Sequence, residues 1–232
     1  MNIAGFIPNS LLDYPEKIAA VVFTQGCNFH CPYCHNPDLV PRMPPPASSD
    51  AMDRVIDFLK RRRGLVDALV VSGGEPTLQT GLVAFLRRAK QLGYLIKLDT
   101  NGSRPQTLRA ILNEGLVDFV AMDIKASLPD YQPHLTTECD PARLSDSIRV
   151  IMDTAPDYEF RTTCVRPFIS PETFDRVLEP IRGARRYILQ RFRPDHVLEP
   201  GFFPDTNQSL TKEDMASLLT RAQPFFIDCS IR

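Results

Sequence analysis

The sequence has no apolar run approaching the roughly 20 residues that a membrane-spanning helix needs. Nor does it begin with a basic segment followed by an apolar one. A membrane span and a secretory leader are therefore not expected, and the chain reads as cytoplasmic. It also lacks an excess of either charge, with 27 Lys and Arg against 28 Asp and Glu. Neither nucleic acid nor an anionic membrane surface is expected as a partner, because nothing supplies the basic footprint. Local basic runs at 60–63 and 182–186 fall near the ends of expected helices, where cations suit the helix dipole. The alternative for them is a docking patch for an acidic protein.

A second pair of clustered cysteines is missing too. Six cysteines are present, and three of them, Cys27, Cys31 and Cys34, stand at spacings of four and three. In a reducing compartment such a cluster points to metal rather than to a disulfide framework. Cys139, Cys164 and Cys229 are far apart and read as small hydrophobes.

What is there is a repeating pattern. Residues 18–24 form an apolar run, as expected of a strand covered on both faces. Further strands are expected at 68–72, 95–99, 119–123, 158–165, 187–193 and 225–231. Helices are expected between them at 48–63, 79–92, 105–113, 142–153, 171–181 and 211–222. Residues 1–17 read as an irregular segment or short hairpin, and the proline-rich stretch 41–46 as an extended connector. Alternating strands and helices define an α/β fold with a parallel sheet and right-handed crossovers. About six βα units are too few for a closed eight-fold barrel, so a partial (β/α) barrel over residues 1–232, as a single domain, is expected. An ordinary doubly wound sheet is the alternative.

In either architecture ligands bind at the carboxyl ends of the strands. The polar motifs gather there: the loop 26–36 after the first strand, Ser72-Gly73-Gly74-Glu75-Pro76 after the second, Asp99-Thr100-Asn101-Gly102 after the third and Asp123-Ile124-Lys125 after the fourth. Thiolates select zinc, copper(I) or iron–sulfur clusters. Structural zinc usually takes four ligands in two pairs, which keeps a zinc-stabilised binding module, with His35 as fourth ligand, as a reading from another class. Three thiolates on a four-iron cubane would leave one iron open to a ligand.

The C-x3-C-x2-C run with Tyr33 before its last cysteine resembles the signature of radical S-adenosylmethionine (SAM) enzymes. The stretches Gly5-Phe6, Ser10 to Pro15, Phe23-Thr24-Gln25-Gly26-Cys27-Asn28, Cys31-Pro32-Tyr33-Cys34-His35-Asn36-Pro37, Ser72 to Thr77, Leu98 to Gly102 and Ala121 to Lys125 are similar to the activating enzymes of glycyl radical proteins. Within that branch they most resemble the activating proteins of anaerobic ribonucleoside-triphosphate reductase, from about residue 3 to 130. One departure is visible. Related sequences tend to have glycine where Glu16 follows Tyr14-Pro15.

The resemblance implies a partial or full (β/α) barrel, one 4Fe–4S cluster on Cys27, Cys31 and Cys34, and S-adenosylmethionine on the fourth iron. It implies that Gly73, Gly74 and Glu75 receive the methionine amino group. Asp99, Asn101, Asp123, Lys125 and Arg161 would surround the cofactor's charged and ribose groups, and Tyr33 and His35 would lie near the adenine. It also implies a monovalent cation near Asp99, Thr100 and Asp123. The activity implied is reductive cleavage of the cofactor, then hydrogen abstraction from a glycine of a partner, anaerobic ribonucleotide reductase, with a flavodoxin- or ferredoxin-type protein as electron donor. A radical enzyme acting on a small molecule, such as a modified nucleobase precursor, is the alternative within the superfamily. Substrate-recognising residues beyond about residue 165 are unassigned, although Gln190-Arg191-Phe192-Arg193-Pro194 stands at an expected strand end.

Overall fold

The structure is a computed structural model that describes residues 1–40, 50–137, 139–202 and 208–232. Strands and helices alternate along it: β1 (Ile3–Ser10), β2 (Ala19–Thr24), α1 (Ala51–Arg61), β3 (Ala68–Gly73), α2 (Leu82–Gln91), β4 (Leu95–Thr100) and α3 (Pro105–Asn113). They continue as β5 (Phe119–Asp123), α4 (Pro141–Thr154), β6 (Asp157–Cys164), α5 (Phe174–Leu178), β7 (Arg186–Arg191), α6 (Lys212–Ala222) and β8 (Asp228–Ile231). The sheet order is β1 to β8 in sequence, with β1 antiparallel to β2 and every later pair parallel. Six crossovers, each carrying a helix, give the partial (β/α) barrel.

The two faces of each strand bury different things, because side chains alternate along it. One face, with Ala20, Val22, Leu69, Val71, Ile96, Leu98, Val120 and Met122, packs under Ile56, Leu59, Phe85, Leu86, Leu108 and Ile111 of the helices. The other face carries Ala19, Val21, Ala68, Val70, Phe119 and Ala121 in a small inner cluster with Tyr14. One pleat further along, Phe23, Ser72, Asp99, Asp123 and Arg161 line an open cavity. The inner face therefore changes from apolar to charged on approaching the carboxyl ends of the strands.

Several boundaries differ from expectation. Residues 3–10 are a strand, hidden in the sequence because β1 is an edge strand with two irregularities in its pairing, between Ile3 and Gly5 and between Ile7 and Ser10. Pro8 falls in the second, where the missing N–H does no harm. Glu16, the position of the departure noted above, has φ 60°, a backbone that glycine adopts at no steric cost. The expected helix 79–92 starts at Leu82, after a 3-10 turn over Pro76–Leu78. The side chain of Gln79 instead ties the N-terminus to the loop after β2, accepting from Asn2 N and donating to Gln25 O, both at 2.8 Å. The helix expected over 171–181 is short, because Pro180 carries its end into a 3-10 turn over Glu179–Ile181. The strand expected over 187–193 runs Arg186–Arg191, and the last one begins only at Asp228. The connector 41–46 and the first two residues of the expected helix 48–63 lie outside the described residues, and Asp50 is the N-cap residue of α1. Among the described residues no helix is long and apolar enough to cross a membrane.

Candidate functional site

The cysteine loop is held from three sides. Gly26 N donates to Leu39 O at 2.8 Å and Glu75 N to Gly26 O at 2.8 Å, while His30 N reaches Leu135 O at 2.8 Å. Within the loop, Cys34 N donates to Cys31 O at 3.0 Å. Phe29 anchors it in the core, edge-on to Tyr131 at 5.9 Å between ring centroids. Cys27 Sγ accepts from Phe29 N at 3.4 Å and from Asn101 Nδ2 at 3.7 Å. Asn101 Nδ2 and Ser103 Oγ also donate to Asn28 Oδ1, at 3.0 and 3.2 Å. The turn after β4 therefore fixes the loop after β2.

All three cysteines of the loop face one cavity of about 300 Å3. Burial pushes the Cys27 thiol up to about 11 and the Cys31 thiol to about 12. Left alone, both would keep their protons at neutral pH, so the loop suits ligation by a cationic centre that displaces them. The three are free of disulfides. A 4Fe–4S cluster fits this donor set.

Gly73 and Gly74 line the same cavity, yet their lack of a Cβ serves the protein first. A Cβ on Gly74 would lie 2.2 Å from Gly26 O, and one on Gly73 2.2 Å from Thr24 N. The glycine pair lets two backbone turns, one bearing the cysteines, pack directly together.

Glu75 is not part of the cavity wall. It is fully buried, with Oε1 accepting from Thr77 N at 3.0 Å, from Thr77 Oγ1 and from Thr100 Oγ1 at 2.8 Å, and with Oε2 accepting from Asn101 N at 2.6 Å. Burial raises its carboxyl pKa and these donors pull it back. Its geometry is that of a brace behind the Gly-Gly turn, rather than an acceptor aimed at a ligand.

Beyond the cysteines the wall is a chain of charges. Asp99 Oδ1 accepts from Lys97 Nζ at 2.6 Å, and Oδ2 from Ser72 Oγ at 3.1 Å and Arg161 Nη1 at 3.5 Å. Asp123, directly opposite Arg161 in the sheet register, accepts from Arg161 Nε at 2.9 Å and Lys125 Nζ at 3.2 Å. Burial alone would raise Asp123, but Arg161 and Lys125 outweigh it and hold the carboxyl at about 2. Burial likewise opposes ionisation of Asp99, and Arg161 and Lys97 win. Burial works against the charge of Lys125, but Asp123 and the Cys31 thiol beside it raise its pKa well above the usual lysine range. Lys125 and Arg161 are the cations of this lining, held in place by Asp123 and Asp99, and both suit a ligand carboxylate.

A monovalent cation at Asp99, Thr100 and Asp123 would share these carboxylates with Lys97, Arg161 and Lys125. Every carboxylate oxygen already meets a cation or hydroxyl, and Thr100 Oγ1 donates to Glu75 while accepting from Gly102 N at 3.1 Å.

Tyr33 is buried, tilted against Phe168 at 5.4 Å, and its hydroxyl donates to Lys125 O at 3.3 Å. His35 is exposed, stacked on Phe192 at 5.7 Å, with Nε2 donating to Arg193 O at 2.9 Å. Apart from Glu75, every residue expected at the site lines the cavity: Cys27, Cys31, Cys34, Tyr33, His35, Gly73, Gly74, Asp99, Asn101, Asp123, Lys125 and Arg161. Sequence reasoning missed Asp13, Phe23 and Thr163, which also line it, and the buried Lys97 behind Asp99. Lys97 had a readable signal, a lysine two residues before an aspartate inside an apolar strand. Asp13 stands in the stretch Ser10 to Pro15 that shares the family resemblance, but only the fold brings the β1–β2 connection to this cavity.

Comparison with known proteins agrees with the geometry. The family model of the radical SAM superfamily matches residues 21–179. A Methanocaldococcus jannaschii protein provisionally assigned as a glycyl-radical enzyme activating enzyme is 32% identical over 205 residues, covering 86% of this chain and 83% of that protein. The pyruvate formate-lyase-activating enzyme of Streptococcus mutans is 34% identical over 129 residues, covering 51% of this chain and 49% of that enzyme. The chain thus aligns with about half the length of that enzyme. Streptococcus suis SuiB shares the fold, with a TM-score of 0.64 at 13% identity over 90% of this chain and 48% of SuiB. The chain belongs to the radical SAM superfamily, in its glycyl-radical enzyme activating branch. Membership implies a 4Fe–4S cluster and S-adenosylmethionine as cofactors.

Proposed function

We propose that this protein installs a glycyl radical on an anaerobic ribonucleoside-triphosphate reductase, taking its electron from a flavodoxin- or ferredoxin-type donor. The observation that carries the reading is that three loop cysteines share one cavity with Arg161 and Lys125, two cations fixed by Asp99 and Asp123. Cys27, Cys31 and Cys34 would hold the cluster, and the backbone of Gly73 and Gly74 with Asp99, Asn101, Asp123, Lys125 and Arg161 would hold S-adenosylmethionine. When bound, these groups supply reductive cleavage of the cofactor and abstraction of a hydrogen atom from glycine. The protein's own part is positional. Asp99 and Asp123 fix Arg161 and Lys125 as carboxylate receptors, while Phe23, Phe29 and Tyr33 give the cavity apolar walls that limit water. Glu75 and Asn101 keep the cysteine loop in register with this wall.

The choice of reductase rests on the resemblance of the N-terminal motifs, and pyruvate formate-lyase is the competing partner suggested by the second relative. Anaerobically reconstituted protein is incubated with reductant, S-adenosylmethionine and either candidate. An organic doublet in electron paramagnetic resonance with the reductase, lost when its target glycine is replaced, is the expected result. A doublet only with the lyase would reassign the partner. Cofactor cleavage with no radical on either protein would favour a small-molecule substrate. Cys31→Ala should abolish both iron binding and cleavage, whereas Cys139→Ala, at a buried thiol bonded to Asp140 O, should retain both.

A further inference from the structure

The end of β7 carries the motif Gln190-Arg191-Phe192-Arg193, which the cofactor shell leaves largely unused. A second cavity of about 450 Å3 opens there, lined by His35, Thr163, Gln190, Arg191, Arg193 and Asp195. His35, Thr163 and Gln190 also line the first cavity, so anything extending from the cofactor site toward β6 and β7 passes over them. Thr163 and Gln190 face each other in the β6–β7 register. Among the described residues their side chains have no hydrogen-bond partner, which leaves a hydroxyl and an amide open to a peptide's N–H and C=O groups.

The charges around this space are distinct from those of the cofactor wall. Arg191 and Arg193 are exposed, and neither guanidinium has a carboxylate partner among the described residues. Asp195 is the opposing charge in the same cavity. His35 is engaged through Nε2 with Arg193 O and by its stack on Phe192. Two guanidiniums against one carboxylate leave a single positive charge. One ligand carboxylate neutralises it, whereas a phosphate dianion would overshoot and meet Asp195.

We propose that this second cavity recognises the substrate segment. Thr163 and Gln190 hold its backbone, and Arg191 and Arg193 receive an acidic side chain close to the target glycine. An extended chain advances about 3.3–3.6 Å per residue, so that side chain stands within a few residues of the glycine. The assignment rests on the reading of the substrate as a protein segment.

The test uses reconstituted protein with S-adenosylmethionine and two dye-labelled nonapeptides that differ only in carrying glutamates or glutamines on both sides of a central glycine. By fluorescence anisotropy the wild type should bind the glutamate peptide roughly five- to tenfold more tightly, a preference that fades at high salt. The Arg191→Ala/Arg193→Ala variant, checked for folding by circular dichroism, should bind both peptides alike. The corresponding double lysine variant should keep a weakened preference. Equal binding of the two peptides by wild type, or a preference that survives the double alanine change, overturns the assignment. So does free glutarate competing as well as the glutamate peptide, which would make the site one for a small carboxylate. The radical assay with the partner proteins separates the two levels, because absence of an organic doublet with every partner protein would fail the parent reading and leave the peptide comparison intact.

Discussion

Glu75 and Asn101 lie at the ends of different strands, yet Glu75 Oε2 accepts the Asn101 backbone N–H at 2.6 Å inside a fully buried pocket. Asn101 in turn donates to Cys27 Sγ and Asn28 Oδ1. One carboxylate thus ties the Gly-Gly turn, the Asn-Gly turn and the cysteine loop together. Glu75→Gln puts an amide N–H against one of four donors and should cost about 2–3 kcal/mol. A lower denaturant midpoint, with less iron retained after reconstitution, is the expected result. Unchanged stability would show that these bonds are not the brace described.

Glycine is required at one position and wanting at another. Gly74→Ala drives a Cβ to 2.2 Å from Gly26 O, where neither backbone can yield cheaply, so the cysteine loop should lose its seat and the protein its iron. Glu16→Gly has the opposite sign. It relieves a non-glycine residue at φ 60° and should raise the melting temperature, by a gain of up to about 1 kcal/mol. Differential scanning calorimetry on both variants checks the two signs together.

Lys97 is 3% exposed and bonds Asp99 at 2.6 Å. Lys97→Met leaves Asp99 with Ser72 and a longer contact to Arg161, and should destabilise by about 3 kcal/mol or more, because it strands a buried charge. Adding Asp99→Asn should recover about 1–2 kcal/mol of that loss. Additive effects in the denaturation cycle would argue that the two side chains act independently.

Acid should weaken the charged wall within a definite window. The folded Asp123 carboxyl is held at about 2, below its ordinary 3.8. Its contribution to stability is present above about pH 4 and is lost as pH falls toward 2, when the folded protein must bind the proton it resisted. Melting temperatures across that range should fall more steeply for wild type than for Asp123→Asn. Parallel curves would assign the acid sensitivity to other groups.

Much of the fold was legible because it is carried by local signals. The apolar runs of β2, β3, β4 and β5 are covered on both faces, and their helices are amphipathic, so periodicity located both. β1 was not legible, since an edge strand with Gly5, Pro8 and two pairing irregularities carries little apolar pattern. The helix α5 is shorter than its apolar pattern suggests, because Pro180 carries its end into a 3-10 turn.

The sequence by itself determined that Cys27, Cys31 and Cys34 share one loop directly after an apolar strand. It also determined that polar residues gather at strand ends. The tertiary structure alone decided how those residues divide their work. Gly73 and Gly74 serve backbone packing as well as the cavity, Glu75 turns inward as a brace, and Lys97 rises from within the barrel to fix Asp99. Spacing along a chain fixes which residues share a loop. Which way a carboxylate faces depends on donors brought from strands 25 or more residues away, and only the parallel register of the sheet supplies them.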